Sequence, residues 1–317
     1  MDKEPLVTVV IPVYNRPIIV KTIESLINQT YKNLEILVID NHSTDNTVQA
    51  IQDIQDSRIR VLINETNQGQ TYSMNRGLKE ANGKYIARID SDDIAVEDRI
   101  FRQVEYMEAN PDCVICGSWV RAIDEKDTLG GIIECCETDD AIRTSMVFYC
   151  PFFHPAVLMR RNTLVDNNLL YDTEYHLAED YELWTRLLNY GKGHNIPIVL
   201  TYYRQGNSND SKIHEKKMYK ESLGIQKQER MKIQNENWRK RLLCICDIES
   251  EEKISLIKAF VIVKTYISYI HSYKPNHIQD YKSIKKQLFI RIYGALVQTR
   301  DTVVASLVRK IVKGVKS

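Results

Sequence analysis

The chain opens on a nearly unbroken run of β-branched and aliphatic residues, Leu6–Val13, which leaves no polar face and predicts a strand buried on both sides. Within Ile18–Gln29 the apolar positions change period: Ile19, Ile23, Leu26 and Ile27 line one face of a helix. Leu34–Ile39 repeats the strand pattern, and Thr47–Ile54 the helix, with Ser43, Thr44 and Asp45 before it as candidate caps. Ile59–Ile63 is a third strand, Gln70–Ala81 a third helix stopped by Asn82-Gly83, and Lys84–Ile89 a fourth strand. This βαβαβαβ order predicts a mostly parallel α/β sheet with helices on both faces. Ligands of such sheets bind outside the carboxyl ends of the strands, where Asp40 and the Asp90-Ser91-Asp92-Asp93 cluster fall.

Beyond residue 93 the pattern is less regular. Ile94–Asn110 reads as a helix, Val114–Ile123, Ile132–Ile133 and Ala156–Met159 as strands, and Ala178–Tyr190 as a helix closed by Gly191. Ile196–Tyr203 is the last expected strand. After about residue 210, Lys, Gln and Glu dominate, Gly and Pro nearly vanish, and helical periodicity continues nearly to the end. The expected organisation is an α/β domain over 1–210 and a helical region over 211–317.

Composition narrows the class. With 317 residues, 43% hydrophobic and 27% charged, the chain is neither disordered nor a disulfide scaffold. Seven cysteines, an odd number with one isolated CxxC at Cys113 and Cys116, read as reduced thiols of a cytoplasmic protein. The first apolar run follows Asp2 and Glu4 and contains Pro12, which is not the layout of a secretory signal. The longest apolar stretch, Ile254–Ile270, is broken by Lys258 and Lys264 and falls short of a membrane span. Net charge is +1, yet residues 274–317 hold ten Lys and Arg against two Asp and Glu. Val304, Leu307, Val308, Ile311, Val312 and Val315 form an amphipathic face within that basic tail. It either rests on an anionic membrane surface or packs on protein. An acidic body with a basic tail argues against nucleic-acid binding.

Candidate chemistry lies in two acidic groups. Three carboxylates within Asp90–Asp93 repel one another unless a cation joins them, so the cluster is either a hard-oxygen site for Mg²⁺ or Mn²⁺ or a solvated acidic turn. Glu179-Asp180 is either a catalytic pair or two acids favoured by a helix N-terminus. His154, in Phe152-Phe153-His154-Pro155, is a candidate ligand and equally a candidate buried structural histidine.

Three stretches carry a family resemblance: VTVVIPVYNRPIIVKTIESLINQTYKNLEILVIDNHSTDNT, NQGQTYSMNRGLKEANGKYIARIDSDD and HLAEDYELWTRLLNYG. Over about residues 5–205 they resemble the inverting family 2 glycosyltransferases of the GT-A fold, enzymes of bacterial surface-polysaccharide synthesis. The resemblance implies a Rossmann-like sheet, a UDP-sugar donor, a glycan acceptor (lipid-linked in many such enzymes) and a Mn²⁺ or Mg²⁺ cofactor. It assigns the turn Pro12, Tyr14 and Asn15 to the nucleobase, Asp40 to the uracil N3–H, and Asn67 and Gly69 to the loop beside the nucleotide. It assigns Asp90 and Ser91 to the donor, Asp92 to the metal with His154 as a further candidate ligand, and Asp180 to the catalytic base. The family's basic residue before Asn75 is Met74 here. The implied location is the cytoplasmic face of the cell membrane, held peripherally by the tail. A nucleotidyltransferase is disfavoured because no glycine precedes Gly69, and a non-catalytic assembly protein because Asp92 and Asp180 are both present.

Overall fold

A computed structural model describes residues 4–206, 213–249, 256–273 and 284. The basic tail over 274–317 therefore lies, apart from Ile284, outside the described residues.

The α/β elements form in the expected order: β1 Val7–Val13, α1 Ile19–Ile27, β2 Leu34–Asp40, α2 Thr47–Gln52, β3 Ile59–Ile63, α3 Gln70–Glu80 and β4 Tyr85–Arg88. β1 pairs in parallel with β2 and β4, and β2 with β3. Because β1 is buried on both faces, Val7, Val9, Ile11 and Val13 pack with Ile19, Ile23 and Leu26, while Val10 lies opposite, against α3. A Cβ on Gly77 of α3 would stand 2.3 Å from Val10 Cγ1, so this helix sits on the sheet at a distance only glycine permits. Each such buried aliphatic side chain contributes roughly 1.5–3 kcal/mol.

The second half differs from the sequence reading in instructive ways. Ile94 and Ala95 are not helical. They form a short strand, β5, antiparallel to a later strand, and the helix α4 begins only at Arg99 and runs to Ala109. Here tertiary pairing overrides local periodicity. β6 (Cys113–Ile123) is flanked by β7 (Leu129–Ile133), β8 (Leu158–Arg160) and β9 (Lys192–Arg204). The strand expected at Ala156–Met159 is displaced to β8 because His154–Ala156 coil into a 3₁₀ turn. β9 begins earlier than its β-branched residues suggested, since parallel pairing with β6 recruits Lys192–Asn195. Between Ser118 and Trp119 the register slips past Pro197 and Ile198, which fits a proline that has no N–H for the ladder. The sheet runs β3-β2-β1-β4-β8-β6-β9-β5, with β7 on β6. Two further helices, α6 (Arg161–Asp166) and α7 (Glu179–Leu187), follow β8, and α5 (Asp139–Ser145) precedes it.

The chain divides into two compact units. One comprises Met1–Cys135 with Phe152–Met218, and the other Cys136–Pro151 with Tyr219–Ser317. The second unit holds α5, the helix α8 (Glu215–Met231) from Tyr219 onward, α9 (Glu236–Glu249) and α10 (Leu256–Tyr273). Arg230, fully buried there, donates to Val147 O at 2.9 Å, Leu242 O at 3.0 Å and the Tyr266 hydroxyl at 2.7 Å, and pairs with Glu249. Among the described residues no helix is long and apolar enough to cross a membrane.

The close approach of α3 to β1 yields a prediction. Gly77→Ala should lower stability by about 1–3 kcal/mol, since Val10 is β-branched and fully buried and cannot swing aside. Thermal unfolding measures it, and an unchanged midpoint would mean that α3 shifts freely on the sheet.

Candidate functional site

The carboxyl ends of β1 and β2 are stitched together by side chains. Asn15 adopts a left-handed φ of 45°, which Asn tolerates better than most residues. Its N–H donates to Ser43 Oγ at 2.9 Å, its Oδ1 accepts the Thr44 N–H at 2.8 Å, and the Arg16 N–H reaches Thr47 Oγ1 at 2.8 Å. Ser43 and Thr44 thus hold the first turn instead of capping α2, whose N-cap position is Asn46, while Asp45 Oδ1 takes the Thr47 N–H. The turn presents Tyr14, 45% exposed, beyond the buried Pro12. Asp40 is fully buried. One of its oxygens accepts the Ser43 N–H at 3.0 Å, and the other, Oδ1, has no partner. A buried carboxylate oxygen left unpaired is costly, so the site fits a ligand that donates one hydrogen bond there.

The loop before α3 is shaped by three asparagines. Asn41 donates to Asn67 Oδ1 at 2.7 Å and accepts from Asn64 at 3.0 Å and from the Gln68 N–H at 3.0 Å. Asn67 Oδ1 also takes the Gly69 N–H, and Gly69 turns at φ 85° into the helix. Met74 is fully buried in the core, and Arg76 bonds Ile63 O and Asn64 Oδ1, both at 2.7 Å, so it supports this loop.

The acidic cluster sits on buried arginines. Arg88, at the end of β4 and 1% exposed, pairs with Asp90 at 2.5 Å, while its Nε and one terminal nitrogen have no partner. Arg99, also fully buried, donates to Arg88 O at 2.7 Å, and burial together with Arg88 pushes it down to about 9. Asp92 lies 3.4 Å from Arg16. Burial, then the neighbouring Asp90, raises the proton affinity of Asp92, and burial raises that of Asp93 well above the carboxylate range. Ser91 is half-buried between them. The donor set around Asp90 and Asp92 is hard carboxylate oxygen, which fits Mg²⁺ or Mn²⁺ completed by phosphate oxygens. Among the described residues no three His, Cys, Asp or Glu side chains converge on one metal position. The carboxylates present would therefore hold an ion only together with other ligands.

The second acidic pair stands at the start of α7. Glu179 is buried and takes a long hydrogen bond from Gln70 Nε2 at 3.3 Å, which ties it to the asparagine-shaped loop. Asp180 is half-buried, and its Oδ1 accepts the Tyr181 N–H at 2.7 Å. Burial raises the proton affinity of both; the Asp180 charge lifts Glu179 further, and the Arg88 charge holds both back. His154 is buried, with Nε2 2.8 Å from the Tyr171 hydroxyl and its ring against Trp184. Burial, followed by the nearby Arg88, keeps its imidazole neutral well below the ordinary histidine range.

Sequence reasoning missed Arg88, Arg99 and Arg204, and of the asparagine network it named Asn67 but not Asn41 and Asn64. Asn75, noted in the sequence only as a loose match to the family's helix, exchanges two 2.8 Å bonds with the Tyr171 backbone and so fixes the segment leading to α7. A signal was present for Arg88: it is the one charged residue inside the apolar strand run Tyr85–Ile89.

With this geometry in view, comparisons are informative. The sequence profile described as Glycosyl transferase family 2 matches residues 8–156. An uncharacterized glycosyltransferase of Haemophilus influenzae is 38% identical over 224 residues, 67% of this chain and 69% of that protein. UDP-Glc:alpha-D-GlcNAc-diphosphoundecaprenol beta-1,3-glucosyltransferase WfaP of Escherichia coli is 35% identical over 202 residues, 63% of this chain and 77% of that one. Among solved structures, S. aureus TarS 1-349 in complex with UDP-GlcNAc superposes with a TM-score of 0.61 at 17% identity, covering 96% of this chain and 91% of the other. Mannosyltransferase PcManGT from Pyrobaculum calidifontis, with GDP-Man and Mn²⁺, gives 0.59 at 14% identity, covering 96% and 87%. These likenesses establish the GT-A fold.

The buried Glu179 carries a pH prediction. A carboxyl whose folded-state proton affinity is raised stabilises the fold below the ordinary carboxylate range and loses that contribution as pH rises through its folded value. Glu179→Gln removes this titration. The melting temperature of the variant relative to wild type should therefore be higher at pH 8 than at pH 5. An offset that is equal at both pH values would show that Glu179 is not held protonated by burial.

Proposed function

The chain belongs to glycosyl transferase family 2, and on that premise we propose that it moves a hexose or N-acetylhexosamine from a UDP-sugar to a hydroxyl of a lipid-linked glycan, with inversion, in surface-polysaccharide synthesis. The observation that carries the donor side is the unpartnered, buried Asp40 Oδ1 at the same sheet edge as Asp90 and Asp92. A carboxylate oxygen there accepts the N3–H of uracil, and Tyr14, exposed on the adjoining turn, supplies a ring to pack on the base. Asn15, Asn67 and Gly69 shape the walls through the bonds described above. Asp90 and Ser91 face the donor. Asp92, with substrate phosphate oxygens, would hold Mn²⁺ or Mg²⁺, whose charge stabilises the leaving diphosphate. The UDP-glucose and diphosphoundecaprenol in the name of WfaP, and the UDP-GlcNAc bound by TarS, support a UDP-sugar donor and a lipid-linked acceptor.

On the acceptor side, the attacking hydroxyl forms a bond to the anomeric carbon as the bond to the UDP oxygen breaks on the opposite face. Its proton passes to Asp180. Glu179 is the weaker candidate for this role because it is buried and its proton affinity is raised further, whereas Asp180 is half-buried with a proton affinity raised toward neutrality, the range that suits a general base. His154 is engaged with the Tyr171 hydroxyl, and its ring packs against Trp184 of α7. The basic segment 274–317 is proposed to meet an anionic membrane surface where such acceptors reside.

Asp180→Asn keeps the shape but cannot take the proton. Transfer should fall by ~10²–10⁴-fold, with UDP binding in the presence of Mn²⁺ unchanged. Asp92→Ala should weaken that binding, and EDTA should abolish transfer. Full activity of the chelated enzyme would overturn the metal assignment, and loss of UDP binding in Asp180→Asn would move this carboxylate to the donor side.

A further inference from the structure

Arg204 closes β9, far in sequence from the acidic cluster, and its side chain is 5% exposed. Its bonds converge on two places. The backbone N–H donates to Asp93 Oδ1 at 2.7 Å and Nε to Asp92 O at 2.8 Å. The terminal nitrogens donate to Asp124 O and Asp127 Oδ1, each at 2.6 Å. Asp124 and Asp127 belong to the turn between β6 and β7. That turn is itself tightly built: Asp124 Oδ1 takes the N–H groups of Lys126 and Thr128, both at 2.8 Å, and Asp127 sits at a left-handed φ of 63°. Lys21 of α1 pairs with the second oxygen of Asp127.

We propose that Arg204 is a positioning residue for the donor site: it holds the Asp92 carbonyl and the Asp93 carboxylate against the Asp124–Asp127 turn, and so fixes the direction in which the Asp92 carboxylate points. This rests on the reading of Asp92 as a donor-side metal ligand. The argument is geometric. The acidic loop follows a strand that ends at Arg88, and Asp90, Asp92 and Asp93 repel one another, so the loop needs external restraint to keep Asp92 aimed. A planar guanidinium can bond Asp92 and the turn at once in fixed directions, which a lysine cannot. Asp127 acts through Arg204, by completing the fork from the far side.

The test uses the full chain with Arg204→Lys, Asp127→Asn and the double variant. Asn tolerates the left-handed backbone as Asp does, so Asp127→Asn removes charge without straining the turn. Calorimetric binding of UDP with Mn²⁺ is measured alongside KM and kcat for the UDP-sugar and the melting temperature. Arg204→Lys should weaken Mn²⁺-dependent UDP binding by about 10-fold and raise the donor KM in step, with kcat at saturation within about 3-fold. Asp127→Asn should lose less, and the double variant should bind no worse than Arg204→Lys alone, since coupled residues are not additive. Lower melting temperatures with unchanged UDP affinity would overturn the proposal, leaving only a structural bond set. Losses that multiply in the double variant would also overturn it, because Asp127 would then act independently. If Arg204→Lys does not fold, Asp127→Asn decides alone, and unchanged affinity there defeats the idea. Asp92→Ala is the separate control: if it leaves Mn²⁺-dependent UDP binding intact, the underlying assignment of Asp92 fails whatever Arg204 does.

Discussion

Like charge gathered at one edge of the sheet is the constraint around which the rest of the α/β unit is organised. Asp90, Asp92, Asp93, Glu179 and Asp180 crowd the ends of β4 and α7, and two unit charges about 4 Å apart interact by roughly 4 kcal/mol at the effective dielectric of a protein surface. The fold answers from below with Arg88, Arg99 and Arg204, each buried and each rooted in a different element. The compensation is incomplete, since burial and mutual repulsion still raise Asp92, Asp93, Glu179 and Asp180. A site that keeps surplus negative charge after such investment is suited to an incoming cation that arrives with a phosphate partner.

That arrangement also separates the labour of two adjacent acids. Glu179 and Asp180 are neighbours in sequence, yet helix geometry turns one inward, against Gln70, and leaves the other half-exposed. The inward one is tied to the first residue of α3, and the outward one accepts the Tyr181 N–H beside it. The reciprocal bonds of Asn75 with the Tyr171 backbone set the height of the segment that carries both.

Through β4 the chain was legible because β1, β2 and β4 are almost wholly buried and each connection is a local helix, so periodicity carries the topology. Asp40 and Asp90–Asp93 were legible as candidate ligands because they terminate such strands. What escaped depended on long-range partners. Ile94-Ala95 became a strand only because β9 offers an edge, and β9 grew because β6 recruits Lys192–Asn195. The arginines beneath the site were illegible for a related reason: a lone Arg in a strand run says that something anionic lies near, but not which carboxylate. Ser43 and Thr44 show the limit of local rules, since residues that look like helix caps are occupied by Asn15 instead.

The excursion of Cys136–Pro151 out of the α/β unit has a consequence for how the chain is made. β6 is complete once Ile123 has emerged, but two of its partners, β8 and β9, lie beyond the excursion, and β4 also waits for β8. During synthesis the nascent sheet therefore carries an open edge on β4 until Arg160 is out, and one on β6 until Arg204 is. Unpaired edges of this kind invite pairing with other chains. The order of synthesis thus splits the acidic loop from its support: β1, β2 and β4, with Asp40 and Asp90–Asp93 at their ends, condense early from local βα units, while the Arg204 brace of that loop arrives only when β9 pairs with β6.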